Sequence, residues 1–532
     1  MVDRSEHRWI WGWALFLLVL TTLPYWIGFS SQGMDWRFTG FVFGVEDGNS
    51  YVAKMLTGAS GDWLFRTPYT ATDQRGFLAF LPYLLLGKLT AGTGQHVQMV
   101  ALFQLFRWAG IILCLFATYD FLAIFLKDIR WRRWGLALAT FGGGLGWILA
   151  VIQTPDGLGT LPLEFYSPET FGFLGLYGLP HLAFARALLL WGLRGFLLNG
   201  QAMPEAPRWK TIWRWAQPGI AWLAMGFMQP VDVGIAWGVI GLYLLVRWVA
   251  WRRHGDPKEW LVDVRRAVVT GLISAPILIY SGVSYLTDPF LKTWGAQNIL
   301  PSPPFWQYLL AYGVVLPFAV IGGVQLMRTK RMESLMLISW AIALPVLAYL
   351  PVTIQRRLPE GGWVALLALA LAGFDSGKVK AGWRRIFYPL FVGAALLVMG
   401  GCLSAARPEL PMFRPTAEVR AFEALRGLAD QGDVVAASFD TSNALPAWTP
   451  QRVVIGHGPE SVNLKENEAT ISEMYNGELS PEERAVFFRK YNVRFLWWGP
   501  LERVIGNWNP QDEPDLRSVY HEGEYQIFEI VE

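Results

Sequence analysis

Long apolar runs separated by short polar stretches fill the first four hundred or so positions, and the pattern breaks off near Arg407. A bilayer crossing takes roughly 17–25 apolar residues, with Lys and Arg favouring the cytoplasmic flank. On that rule the chain predicts about eleven transmembrane helices. Their approximate bounds are 10–29, 98–126, 134–152, 181–199, 216–229, 233–250, 267–285, 307–326, 335–350, 362–374 and 386–404. Basic clusters such as KDIRWRR, WRRHGDPKEWLVDVRR and MRTKR then fall inside. The run 77–89, FLAFLPYLLLGKL, is too short to cross and reads as a helix lying in the outer interface. Counting it as a span would put Arg130, Arg132 and Arg133 outside, against the positive-inside rule.

Beyond Arg407 the chain turns polar. Short β-rich runs (DVVAAS, RVVIGHG, RFLWWG, YQIFEI) alternate with helical stretches such as 480–491, which opens on Pro481 and two glutamates. The expected organisation is therefore a multi-spanning α-helical membrane domain over 1–405, with a first outer loop at about 29–97, and a small extracytoplasmic α/β domain over 406–532.

Composition agrees: 53% of residues are hydrophobic and only 16% charged, with 28 Trp and 33 Phe of the kind that collects at membrane interfaces. A net charge of +3 is too small to point to nucleic acid. Cys114 and Cys402 lie far apart inside apolar runs, so neither a disulfide framework nor zinc spacing exists. The first span has no small-residue cleavage site and reads as a retained anchor.

Chemistry concentrates in the first outer loop, GVEDGNSYVAKMLTGASGDWLFRTPYT. Its adjacent acids, Glu46 and Asp47, stand at the membrane surface, where a carboxylate is costly and a fixed one can act as a general base. Tyr51, Val52 and Met55 are spaced to pin a helix behind them. Arg66, Arg75, Lys88, Arg356 and Arg357 break the positive-inside pattern. Half of such residues are solvated or meet headgroups, but the Arg356–Arg357 pair at a span's end suits a lipid-linked phosphate. A second outer loop, 153–180, holds Asp156, Glu164 and Glu169 and leads into His181; Glu169 and His181 are candidates for orienting substrate. The run Gly142-Gly143-Gly144-Leu145-Gly146 lacks a following Gly-Lys-Ser/Thr and reads as a helix-packing motif inside a span. In the tail, Gly456-His457-Gly458 and Lys465-Glu466 fall on a strand-to-helix turn without a recognisable nucleophile and base.

Asp47-Gly-Asn-Ser-Tyr51, Gly61-Asp62-Trp63, Pro68-Tyr69, Arg75 and Leu86-Gly87-Lys88 resemble the first outer loop of the GT-C superfamily of membrane glycosyltransferases, in particular the bacterial aminoarabinose/mannosyl-transferase type. The resemblance implies a sugar transfer from a polyprenyl-phosphate donor, with the family's base on Asp47 and its donor-phosphate residue on Arg75. It adds Tyr51 and Tyr69 to the substrate-binding positions. The chain departs from the family in having Gln74-Arg75-Gly76 where Lys-Pro-Pro is usual, and in placing Glu46 before rather than after the acid. The expectation is thus an inverting, multi-pass glycosyltransferase at the outer face of a bacterial cytoplasmic membrane. Its partners would be a polyprenyl-phosphate-linked sugar, an acceptor hydroxyl or amine on a lipid, glycan or protein, and membrane lipids. No cofactor is required on this reading; some relatives use a divalent metal (Mg or Mn), but no cage of oxygen ligands is visible. A flippase for lipid-linked saccharides, or a membrane anchor for the tail, stands as the alternative.

Overall fold

The computed structural model describes residues 2–152, 160–199, 207–254, 257–329 and 331–531. Asp156 lies outside them. Among the described residues, seven helices are long and apolar enough to cross a bilayer, including Pro180–Leu198, Gln355–Asp375 and Ala381–Ala405. An eighth crossing is formed if the helices Phe305–Tyr312 and Leu316–Arg328, bent by 74° at their junction, count as one.

The chain is a multi-pass helical membrane protein, with fewer unbroken spans than the eleven expected. Three expected spans fall short, each for a visible reason. At 134–152 the helix Ile129–Phe141 stops where the glycine run begins, because four glycines in five residues hold no helical preference. The run leaves the helix at Gly142, which is extended, and forms no helix before Trp147, so its reading as a helix-packing motif is corrected. Its backbone instead pairs with neighbouring segments, Gly143 N–H donating to Leu390 O (2.8 Å) and Leu145 N–H to Leu310 O (3.1 Å). A Cβ on Gly144 would stand 2.6 Å from the backbone of Ala311, so the close approach requires glycine. At 216–229 the helix is Arg208–Gly226, which opens on basic residues; at 335–350 it is Ser334–Ala348, only 15 residues long.

The chain folds into two compact units. One unit comprises 1–21, 105–282 and 299–401; the other comprises 22–104, 283–298 and 402–532. The first outer loop thus belongs to the same unit as the tail. In this second unit the chain leaves α1 (Arg4–Ser31), forms β1 (Trp36–Phe38), then α2 (Val45–Ala59) and α3 (Leu81–Gly87), and enters α4 (Gln95–Phe125). The interfacial helix expected at 77–89 is reduced to the seven residues of α3. Gly58 and Gly87 let α2 and α3 cross almost in contact, since a Cβ on either would fall within 2.1 Å of the partner's carbonyl oxygen.

The tail adds α5 (Thr416–Leu428), β2 (Phe413–Pro415), β3 (Val434–Ala436), α6 (Phe439–Trp448), β4 (Arg452–Val453), α7 (Leu464–Asn476), α8 (Pro481–Tyr491), β5 (Val493–Trp498), β6 (Leu516–Glu522) and β7 (Tyr525–Ile530). β2 pairs with β1, and the others form one sheet in the order β4-β3-β5-β7-β6. β4, β3 and β5 run parallel while β7 and β6 are antiparallel, the mixed arrangement expected when crossover helices join the first three. The sheet's core is Val434, Val454, Ile455, Leu496 and Phe528, closed by Tyr475 and Trp498.

Candidate active site

Gly44 begins α2 in the left-handed conformation (φ +57°), which places Glu46 and Asp47 in the helix's first turn, where the exposed N–H groups favour negative charge. Asp47, Ser50, Tyr51 and Lys54 follow at helical spacing and share one face. Opposite them is a turn from the tail. β4 continues through buried Val454 and Ile455 to Gly456, His457 and the 3-10 turn Gly458–Glu460. Site-bearing turns at the carboxyl ends of parallel strands are the common arrangement in α/β sheets.

The two elements meet through charge. His457 Nε2 lies 3.3 Å from Asp47 Oδ1, and its Nδ1 lies 3.5 Å from Glu460 Oε1, an ion-pair approach without hydrogen-bond geometry. Glu460 Oε1 accepts from Lys54 Nζ at 2.6 Å, and Oε2 accepts from Thr67 Oγ1 at 2.5 Å. Lys54 also donates to Ser50 and stands 4.4 Å above the Phe80 ring. The Lys54 and Glu460 side chains are only 2% and 3% exposed, whereas Asp47 is 57% exposed. A buried chain of alternating charge therefore ends on an accessible carboxylate.

The turn itself is over-determined. Ser461 Oγ accepts from the N–H groups of Gly456 (3.0 Å) and His457 (3.1 Å). Asn443 donates to Gly456 O (2.8 Å) and accepts from Asn49 on α2 (2.8 Å). Glu46 is occupied as well, its Oε1 accepting from Gly458 N–H at 3.1 Å. The two neighbouring acids thus divide: Glu46 holds the turn, and Asp47 presents a carboxylate.

Burial alone would pull the His457 ring toward the neutral form. Glu460 and the hydrogen bond to Asp47 outweigh it, against opposition from Lys54, and the pKa is raised. Burial likewise pushes Glu460 up, but Lys54 and His457 overcome it and hold the carboxyl below its usual range. Because the folded pKa of His457 lies above the unfolded value of about 6.5, its contribution to stability is complete below pH 6.5 and is lost as pH rises through the folded pKa. Thermal melts of the purified protein across pH 6–9 should fall with pH, and His457→Gln should remove that part of the slope. An unchanged slope in the variant would show that His457 is neutral throughout.

Of the remaining candidates in this unit, Tyr51 is buried and stacks on Tyr83 (4.7 Å), packing α2 against α3 and α4. Tyr69 is buried too and donates to Asn443 O at 3.0 Å; burial, with Glu460, Glu46 and Asp47 nearby, keeps its hydroxyl protonated. It supports the turn. Lys88 donates to Gly58 O and Gly61 O, so it caps the end of α2. Arg66 is exposed and pairs with Asp62 at 3.1 Å; Arg75 is exposed.

The other unit holds the rest. Arg357 Nε lies 3.6 Å from Glu169 Oε1, and the Arg356 guanidinium lies over Tyr166 at 4.5 Å. Arg186 makes a two-pronged pair with Glu360 (2.5 and 2.8 Å) and also donates to Pro168 O. His181 sits half-buried in the first turn of Pro180–Leu198. The Arg357 charge is therefore faced by Glu169 rather than left open.

Several helices long enough to cross a membrane, together with an α/β part packed on the loop after the first span, give a fold similar to that of solved membrane glycosyltransferases. The particular likenesses are these. The oligosaccharyltransferase of Archaeoglobus fulgidus, tethered to an acceptor peptide containing the NVT sequon, has a TM-score of 0.50 at 12% identity, covering 91% of this chain and 69% of that one. The same organism's AglB in complex with an inhibitory peptide and a dolichol-phosphate gives 0.48, with the same coverage and identity. ArnT from Cupriavidus metallidurans in the apo state gives 0.46 at 14% identity over 97% of this chain and 98% of that one. At such identities the likeness is one of fold. No family profile matches the sequence. Among curated proteins, cytochrome bd ubiquinol oxidase subunit 1 of Bacillus subtilis (strain 168) is 23% identical over 176 residues, 29% of this chain and 37% of that protein. The chain thus spans little more than a third of that relative, and apolar spans drawn from few residue types share identities of this order.

Proposed function

We propose that the protein is an inverting glycosyltransferase that moves a sugar from a polyprenyl-phosphate donor to an acceptor hydroxyl or amine at the outer face of a bacterial cytoplasmic membrane. The observation that carries the reading is the accessible Asp47 carboxylate, held at the end of the Lys54–Glu460–His457 chain. Asp47 takes the acceptor's proton as the acceptor oxygen or nitrogen attacks the anomeric carbon. The bond from that carbon to the phosphate oxygen breaks, and polyprenyl phosphate leaves with the electron pair.

The residues around Asp47 do not fit a resident divalent ion. Glu46 is spent on Gly458 and Glu460 on Lys54, and among the described residues no three His, Cys, Asp or Glu side chains are grouped to hold a metal. On this reading positive charge comes from the protein. Arg75, exposed in the same unit as Asp47, is assigned to the donor phosphate ahead of Arg356 and Arg357. Arg75→Gln should raise the donor KM by about 10-fold or more, the usual scale for a charge-assisted hydrogen bond, with kcat nearly kept. The same rise in Arg356→Gln and not in Arg75→Gln would move the assignment.

The acceptor's class, lipid, glycan or protein, follows from what is labelled. The protein is purified into lipid and offered a panel of polyprenyl-phosphate sugars with a membrane extract as acceptor source. Release of polyprenyl phosphate with the sugar recovered on an acceptor supports the proposal. Movement of an intact donor across the bilayer without release would make the protein a flippase.

A further inference from the structure

A cavity of about 580 Å³ lies apart from the Asp47 constellation, and none of Asp47, Glu46, His457 or Glu460 lines it. It opens where α1 ends and α4 begins, between Phe29 on one and Val97 and Val100 on the other. Both helices are membrane crossings, so the cavity stands at the depth where hydrocarbon gives way to headgroups. Its wall is largely apolar, and two arginines and a histidine are among the polar side chains that interrupt it.

Arg37 and Arg426 both line the cavity. Arg426 gives one N–H to Gln95 Oε1 (2.9 Å), and burial works against its charge with Glu423 as the acid beside it. The third is His96, buried and stacked flat on Trp448 with ring centroids 3.5 Å apart. His96 Nε2 has no hydrogen-bond partner among the described residues. That nitrogen is itself shut off from the cavity, so the charged donors a ligand would meet there are the two arginines.

We propose that this cavity binds an anionic phospholipid of the surrounding bilayer, with its phosphate between Arg37 and Arg426 and the start of an acyl chain along Phe29, Val97 and Val100. The charges choose the occupant. Two arginines against Glu423 leave one net positive charge, which matches a phosphodiester; a phosphomonoester carries between one and two negative charges at neutral pH. A donor lipid is also a phosphodiester, but its phosphate must lie beside the reacting carbon, and the only groups lining this cavity that could take a proton from an acceptor are Glu423, which faces the Arg426 charge, and His96, whose ring is buried flat against Trp448. The lipid is therefore a resident one that ties α1, α4 and α5 together at the membrane surface.

The test uses the full-length protein in nanodiscs of neutral phosphatidylcholine, titrated with phosphatidylglycerol and followed by native mass spectrometry and thermal unfolding. The expected result is about one retained phosphatidylglycerol per chain and a rise in the unfolding temperature that added phosphatidylcholine does not reproduce. Each arginine near a membrane surface is worth about fivefold in affinity, so Arg37→Gln with Arg426→Gln should lose on the order of twenty-fold. Glu423→Gln should gain about fivefold, a change that misfolding cannot imitate. Equal stabilisation by both lipids, or equal retention by all variants, would overturn the proposal. Displacement of the bound phosphatidylglycerol by a polyprenyl-phosphate sugar at equal concentration would overturn it too, by assigning the cavity to the donor.

Discussion

Asp47→Asn is expected to lower kcat by 10²–10⁴-fold, the range a positioned general base supplies, while leaving the donor KM and the folded yield close to wild type. The substitution keeps the shape and an oxygen for His457 Nε2, and a side chain that is 57% exposed contributes little to packing. Its neighbour provides the control. Glu46→Gln retains an acceptor for Gly458 N–H, so it should cost only a few-fold in kcat through looser positioning of the turn. His457→Gln should fall between the two, because it unpins Asp47 without removing the base. Single-turnover assays at saturating donor separate the three. Equal turnover by wild type and Asp47→Asn would leave the buried charge chain without a catalytic purpose and would remove the ground for the proposed mechanism.

Much of the architecture was readable because it rests on local pattern. Uninterrupted apolar runs such as those of α1 and α4 became long helices, and Ser480-Pro481-Glu482-Glu483 became a helix start with a reciprocal cap, Ser480 Oγ accepting from Glu483 N–H and Glu483 from Ser480 N–H. The glycine run 142–146 misled because small residues favour helix packing only when the helix survives them. Here the backbone bonds elsewhere, to Leu390 and Leu310, which no local pattern announces.

The site was half legible. Asp47 stood out as an acid at a membrane surface. Lys54 was overlooked although Asp47, Ser50 and Lys54 sit at helical spacing on one face, and a lysine on the buried side of an amphipathic helix already demands a partner. That partner, Glu460, lies 406 positions away, as His457 lies 410 from Asp47. No periodicity spans such distances. The His457 turn was noticed only as a strand-to-helix turn without a nucleophile, since its role depends on side chains from another segment. Tyr51 is the complementary case: its spacing predicts a pinned helix face, and on that face its ring packs on Tyr83.

Lys54→Met is the sharpest test of how the second unit holds together. The Lys54–Glu460 pair is almost fully buried, so deleting the ammonium leaves Glu460 with only Thr67, Ser50 and His457 to offset its charge. Breaking one partner of such a pair typically costs about 3–5 kcal/mol, far more than a surface ion pair is worth. For a unit of this size that corresponds to a fall of about 10 °C in the unfolding temperature. Glu460→Gln alone should cost less, because a neutral amide still meets Thr67 and Ser50. The double variant Lys54→Met/Glu460→Gln should recover most of the loss, since neither charge is then buried alone. Thermal unfolding of the four proteins in one lipid composition gives the coupling directly. A single Lys54→Met variant melting within about 2 °C of wild type would mean that water reaches Glu460 in the folded state. The pair joins α2 to the tail's turn, so its loss should also slacken the hold on Asp47. If the charge chain positions the base, activity per folded molecule should drop in Lys54→Met and return only in part in the double variant, where the fold is restored but His457 no longer has an anionic anchor.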